Sequence, residues 1–231
     1  MPGKITAIRT QERRKDRVSV FLDDEYAFSL QSILAVGLRR GQELTEEDIR
    51  KLQQQDATET TYESALHYLS FRPRSEQEMR RYLLKRGAGD ETIEQVLSRL
   101  RRAGLINDSE FVRFWVENRE MHRPRGAWAL RAELRQKGVG EEEIALALGD
   151  LDEEASALNA ARQAANRLAH LGEELFRRRL LGYLQRRGFG YEVSRRAADH
   201  LWAEIAAQEE AEPCRRVLPD GHKERNPKEW D

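Results

Sequence analysis

One pattern is written three times in this chain, and it restricts the fold more than any other feature. The stretches 78–87, 129–138 and 179–188 align without gaps. Each carries two apolar residues four apart: Met79 and Leu83, Leu130 and Leu134, Leu180 and Leu184. Each closes on a basic residue and a glycine: Arg86-Gly87, Lys137-Gly138 and Arg187-Gly188. Apolar residues four apart share one helix face, and a glycine after a basic residue is a helix stop. The copies are offset by about 51 and then about 50 residues, a spacing typical of repeat architectures. Thirteen residues past each glycine stands another leucine, at Leu100, Leu151 and Leu201. A small helical unit cannot bury its apolar face alone, so such units stack. The expectation is a mainly α protein, with three tandem three-helix repeats in an elongated arc. Such an architecture offers binding surface rather than a catalytic pocket.

The segment before the repeats is different. Val18, Val20 and Leu22 alternate with polar positions, as do Tyr26, Phe28 and Leu30 beyond Asp23-Asp24-Glu25. Period-two alternation on both sides of a short acidic turn predicts a hairpin, and Ile5 and Ile8 start a third strand. Thr45-Glu46-Glu47-Asp48 reads as a capped helix start, with Ile49 and Leu52 on its apolar side. Gln53–Glu59 reads as a linker or a helix end. The predicted organisation is a strand-rich extension with a helix at 1–58, repeats at 59–104, 105–152 and 153–207, and a disordered tail at 208–231. The tail combines three prolines with mixed charge and no periodicity.

Within the repeats, Ala65, Leu66 and Leu69 mark a first helix. Ser75-Glu76-Gln77-Glu78 forms a capping box for a second, and Ile93, Val96, Leu97 and Leu100 line a third. Ile106-Asn107-Asp108 caps the next helix, on which Phe111, Val112 and Trp115 make a core stripe. The third repeat is looser, with Ala155, Leu158, Ala161 and Ala165 on its first helix and Ser194 and Ala198 where larger apolar residues stand elsewhere.

At this point the sequence resembles a known family. Ala65, Leu66, Leu69, Arg72, Arg74, Ser75, Glu78 and Met79, followed by Gly104-Leu-Ile-Asn-Asp108, Phe111 and Trp115, form an ordered set similar to that of the RecX family. Arg119, Gly126, Glu133-Leu134 and Lys137-Gly138-Val139 are similar to its second repeat. The strand-rich start, followed by Gly37 and Gly41, resembles the N-terminal extension of its longer members. The resemblance runs over about residues 4–205 and implies a row of three-helix repeats that regulates the RecA recombinase. The implied activity is binding to the RecA–DNA filament, with inhibition of its ATPase, growth and strand exchange. It implies no enzyme activity and no cofactor.

Charge adds a location. The chain carries net −1 in total, but about −1 on residues 1–60, about +5 on 61–140 and about −5 on 141–231. The middle segment is the best placed to meet a polyanion. There, Arg72-Pro73-Arg74 and Arg123-Pro124-Arg125 recur just before helix starts, where proline forces a turn and an anion would meet the positive helix end. Repeat three has Glu173-Glu174-Leu175 at the matching place. Arg80, Arg81, Lys85, Arg86, Arg119, Arg131, Arg135 and Lys137 extend the candidate RecA- or DNA-contacting set. Pairing of these cations with acids on neighbouring helices is the alternative. Trp128 lies about 200° around its helix from Leu130, either as an interface anchor or packed against the adjoining repeat. A direct contact with single- or double-stranded DNA should be weak and salt-dependent.

Two other function classes stay open: a helix-turn-helix DNA-binding protein and a general helical-repeat scaffold. The five histidines are scattered, and there is no phosphate-binding glycine loop or nucleophile motif. No catalytic or metal-binding residues are therefore assigned. The lone Cys214 excludes an intrachain disulfide, and no apolar run is long enough for a membrane span. A cytoplasmic monomer is expected.

Overall fold

The computed structural model describes residues 2–211. It is mainly helical, with a small sheet at the N-terminus. Strands β1 (Gly3–Thr10), β2 (Arg17–Leu22), β3 (Glu25–Gln31) and β4 (Glu43–Leu44) form an antiparallel sheet in the order β3-β2-β1-β4. A short helix α1 (Ser32–Ala35) precedes β4. Asp23 and Asp24 make the β2–β3 turn, both at positive φ (48° and 67°), the conformation that two-residue hairpins need and that aspartate tolerates. Ile5, Val18, Val20, Leu22, Phe28 and Leu30 fill the core of the sheet. Tyr26 breaks the expected alternation and is exposed. The register slips between Val20 and Phe21, so Phe21 faces Tyr26. A slip of one residue turns a side chain to the opposite face, and the two rings meet edge to face at 6.0 Å.

Helix α2 (Glu46–Leu69) corrects the linker expected at Gln53–Glu59, because one helix runs through it without a break. That stretch holds neither glycine nor proline, and its polar residues are used. Asp56 accepts hydrogen bonds from the Arg17 guanidinium (2.6 Å) and the Gln31 amide (2.7 Å), which tie the helix to the sheet. Three residues on, Glu59 accepts from Arg99 of the first repeat at 2.7 Å. The start of α2 carries the reciprocal cap expected from its sequence: Thr45 Oγ1 accepts from the Asp48 amide while Asp48 accepts from the Thr45 amide. Thr45→Ala is expected to cost about 1 kcal/mol in urea denaturation; an unchanged midpoint would show that the cap contributes nothing.

The remaining helices are α3 (Glu76–Lys85), α4 (Asp90–Arg102), α5 (Asp108–His122), α6 (Ala127–Gln136), α7 (Glu141–Gly149), α8 (Glu153–Leu168), α9 (Glu173–Arg186) and α10 (Tyr191–Ala211). They fall into threes: the C-terminal half of α2 with α3 and α4, then α5–α7, then α8–α10. The apolar pairs of the three copies are fully buried. Gly87, Gly138 and Gly188 end the middle helices at φ +83°, +82° and +86°, which only glycine adopts without strain. Helix α10 continues to Ala211, past the expected tail boundary at 208, because Glu and Ala favour helix there. The rest of that tail, 212–231, lies outside the described residues.

The chain forms two compact units. The first runs to Asn118 and includes Arg131–Asp150; the second joins Arg119–Leu130 to the described residues from Leu151. The core of the first repeat is built on Ala65, Met79, Leu83, Ile93, Val96, Leu97 and Leu100. That of the third uses small residues, Ala157, Ala160, Ala161 and Ala164, against Phe176, Leu180 and Leu184. Bulk from α9 thus fills the room that alanines leave on α8.

Candidate binding surfaces of the repeats

The middle helices meet through a joint that the chain uses twice. In the first unit, the end of α6 docks on the start of α3. Ser75, the N-cap of α3, accepts from the Glu78 amide at 3.1 Å and donates to the Lys137 carbonyl at 2.7 Å. Gly138 packs so closely on Gln77 that a Cβ there would overlap the Gln77 side chain. In the second unit, the end of α9 docks on the start of α6. The Gly126 amide donates to the Arg187 carbonyl at 3.0 Å, Arg187 Nη1 donates to the Pro124 carbonyl at 3.2 Å, and a Cβ on Gly188 would overlap Ala129. The same positions serve in both: a small N-cap residue twelve before the terminal glycine receives the basic-Gly end of the next repeat.

This joint takes up part of the basic set. Arg72 makes two hydrogen bonds of 3.0 Å to Glu78, and Lys137 Nζ reaches the same carboxylate at 2.7 Å. Both cations also lie over the Trp115 ring, at 5.8 and 4.0 Å. Burial pushes the Glu78 carboxyl up, but the hydrogen bonds and charges of Arg72 and Lys137 outweigh it and bring the pKa down to about 2. The Glu78 side chain therefore does not close the capping box expected at Ser75; only the Ser75 half is made. Trp115 is half-buried rather than sealed in the core, because its Nε1 donates to Glu133 at 2.8 Å. Asp108 contributes from the next helix by accepting from the Glu76 amide; burial raises its pKa.

The other candidates divide by their neighbours. Arg80 pairs with Glu94 at 2.6 Å, and Arg131 and Arg135 both reach Glu141, at 3.3 and 2.8 Å. Arg81 donates to the Gln136 carbonyl at 3.0 Å. Arg74 and Arg86 close a stack: Arg74 lies 3.9 Å from the Tyr68 ring, Tyr68 stacks on Tyr82 at 4.0 Å, and Arg86 covers Tyr82 at 5.2 Å. Arg119 and Arg125 are half-buried and engaged. Lys85 and Arg123 are exposed, with no side-chain partner among the described residues. Trp128 leaves 77% of its surface open, and Met121, which the sequence pattern did not single out, leaves 74%. In the second unit, then, an exposed Met, Arg and Trp lie within eight residues around the Arg123-Pro124-Arg125 turn. Among the described residues, no three His, Cys, Asp or Glu are grouped to hold a metal, and no helix is long and apolar enough to cross a membrane.

A small N-terminal sheet followed in sequence by three tandem three-helix modules places the chain in the class of helical-repeat proteins. Family models described as the regulatory protein RecX N-terminal domain and the first, second and third three-helix domains of RecX match residues 3–45, 62–100, 107–148 and 152–198. The chain is 32% identical over 216 residues to the regulatory protein RecX of Bacillus subtilis strain 168, covering 91% of this chain and 82% of that one. It is 31% identical over 214 residues to that of Listeria monocytogenes serovar 1/2a, covering 90% and 80%. A crystal structure of regulatory protein RecX superposes with a TM-score of 0.67 at 29% identity, covering 85% of this chain and 98% of the other. RecX from Lactobacillus salivarius, at 22% identity and a TM-score of 0.55 over 66% of this chain, shares the fold. The chain belongs to the RecX family, whose members among these relatives are named regulatory proteins.

Proposed function

We propose that this protein regulates the RecA recombinase by binding the RecA–DNA filament and inhibiting its ATPase, growth and strand exchange. The presence in one chain of the N-terminal module and all three RecX repeats carries this reading. Tandem repeats suit a partner that is itself a repeating polymer, since successive modules meet successive protomers. A regulator of this kind needs no chemistry of its own; occupying the surface on which subunits add or exchange is sufficient. The contact we propose centres on Met121, Arg123 and Trp128, because Trp, Met and Arg are the residues enriched at interface centres. Arg72 and Lys137 are assigned to the joint.

The test is the ATPase rate of the cognate RecA on single-stranded DNA as the protein is titrated in. Inhibition is expected below one copy per RecA. The concentration for half-inhibition should rise by about tenfold for Arg123→Ala or Trp128→Ala, the effect of losing one interface anchor. Both variants should unfold at the wild-type temperature. No inhibition at several-fold excess over RecA would remove the partner assignment. Inhibition unaltered by both substitutions would remove the contact assignment.

A further inference from the structure

The positions that receive the next repeat at each joint recur on α9, where they are arginines. Ten and nine residues before each terminal glycine stand the positions that receive the next repeat: Gln77 and Glu78 on α3, Trp128 and Ala129 on α6, Arg178 and Arg179 on α9. Gly138 rests on Gln77 and Gly188 on Ala129. Among the described residues no helix end docks on Arg178 and Arg179, and both are exposed. One turn beyond them is Gly182, and one further turn on is exposed Arg186. At 3.6 residues per turn these four positions lie within about 100° of one helix face, over about 12 Å of its length.

We infer that this face of α9, with Arg178, Arg179 and Arg186 set around Gly182, binds the sugar-phosphate backbone of nucleic acid. The pairing pattern of the third repeat supports it. Of its other arginines, four pair with acids, Arg162 with Glu204, Arg177 with Glu173 and Asp199, Arg195 with Glu192 and Arg196 with Glu154, all at 2.8–3.1 Å, and Arg187 donates to the Pro124 carbonyl, while Arg167 on α8 is exposed without an acidic partner among the described residues. Arg178, Arg179 and Arg186 have no acidic partner among the described residues. A repeat face open to solvent must be polar for solubility, but mixed charge satisfies that need, whereas three unpaired cations on one stripe repel one another until an anion binds. Arginine also presents a fork of donors that matches phosphate oxygens.

Gly182 is the second observation. Glycine inside a helix is unfavourable, and nothing in the fold requires it here. Its φ is not positive, and the only atom near an added Cβ is the flexible tip of Arg186, at 3.3 Å. Its lack of a side chain serves close approach, since a backbone lying across the helix between the arginines reaches the helix surface there. The net charge of about −5 on residues 141–231 conceals this stripe, because it sums acids from every element; Glu174, one turn before Arg178 on α9, is the acid that borders the stripe.

The experiment is fluorescence anisotropy of a labelled oligothymidylate with the full chain and no recombinase present, so its outcome is independent of the RecA reading. Salt is varied from about 50 to about 200 mM. Replacing Arg178, Arg179 and Arg186 together by Ala should weaken binding at least tenfold at the low-salt end. It should also reduce the slope of log K against log salt by about 2, since each phosphate contact on a single strand contributes about 0.7. Gly182→Ala should weaken binding several-fold while thermal unfolding moves up or stays put, and it keeps the test decisive if the triple variant unfolds. Wild-type affinity and slope in the triple variant would overturn the site, as would wild-type binding by Gly182→Ala together with an unfolded triple variant. Weakened binding with an unchanged slope would also overturn it, because phosphate contacts must release counterions.

Discussion

Alanine at Gly188 is expected to destabilise the protein by about 3 kcal/mol, against about 1 kcal/mol for alanine at Gly87. The two glycines end equivalent helices with nearly the same φ, +86° and +83°, so the left-handed backbone accounts for about 1 kcal/mol at each. Their surroundings differ. A Cβ on Gly87 meets open space, whereas one on Gly188 meets the Ala129 Cβ and backbone nitrogen. Relieving that overlap moves α9 away from α6, which stretches the bond from the Gly126 amide to the Arg187 carbonyl and adds about 1–3 kcal/mol of overpacking. Gly138 should lie between the two, since its obstacle is the Gln77 side chain rather than backbone. Denaturant midpoints of the three variants give the ordering, and hydrogen exchange at the Gly126 amide reports whether the second joint has opened. Equal losses at Gly87 and Gly188 would show that only φ matters and that the joint is not close-packed.

That joint is also where the sequence stopped being readable. The spacing of Met79–Leu83, Leu130–Leu134 and Leu180–Leu184, with a basic-Gly stop after each, disclosed the repeats, because helix periodicity and stop signals act over a few residues. The hairpin and the Thr45 cap were legible for the same reason. The joint contacts link residues about sixty positions apart, Ser75 to Lys137 and Gly126 to Arg187, and several of their atoms are backbone groups, which leave no mark in residue identity. Arg72 and Lys137 therefore read as surface cations. Their partner Glu78 read as a capping residue, an equally sound local use for a glutamate three residues after a serine. Tyr26 was placed on the wrong face by a register slip that alternation cannot reveal, and Gln53–Glu59 read as a linker because its helix is held by polar bonds to the sheet and α4 rather than by an apolar stripe. Charge summed over segments identified the middle of the chain as basic, yet much of that charge is spent on ion pairs, while the unpaired arginines of α9 sit in the segment with the most negative total.

Removing the carboxylate at the first joint should have the other large effect: Glu78→Gln is expected to cost about 3 kcal/mol at neutral pH. Glu78 holds two cations, with only 14% of its side chain exposed. Without its charge, Arg72 and Lys137 stay partly buried over Trp115 with no counterion, the situation in which a broken pair costs most. The same figure follows from titration. The carboxyl has a pKa of about 2 in the folded chain against 4.5 for the free side chain, and that difference corresponds to about 3 kcal/mol of stabilisation of the ionised form. The sign is fixed by the direction of the shift. A depressed folded pKa gives stability that is present above pH 4.5 and is lost as pH falls toward 2, because the unfolded chain takes up the proton first. The measurable quantity is the difference in unfolding free energy between wild type and Glu78→Gln across that window. It should be flat near neutrality, shrink steadily below pH 4.5 and approach zero only below pH 2, since at pH 2 the Glu78 carboxyl of the folded chain is still about half ionised. Other carboxylates titrate in both proteins and cancel in the difference. At the second joint the residue matching Glu78 is Ala129, and the bond from the Gly126 amide to the Arg187 carbonyl contains no titrating group. Mild acid should therefore loosen the Ser75–Lys137 contact before the Gly126 amide exchanges. A difference that stays constant down to pH 2 would mean that Glu78 holds its partners by shape rather than by charge.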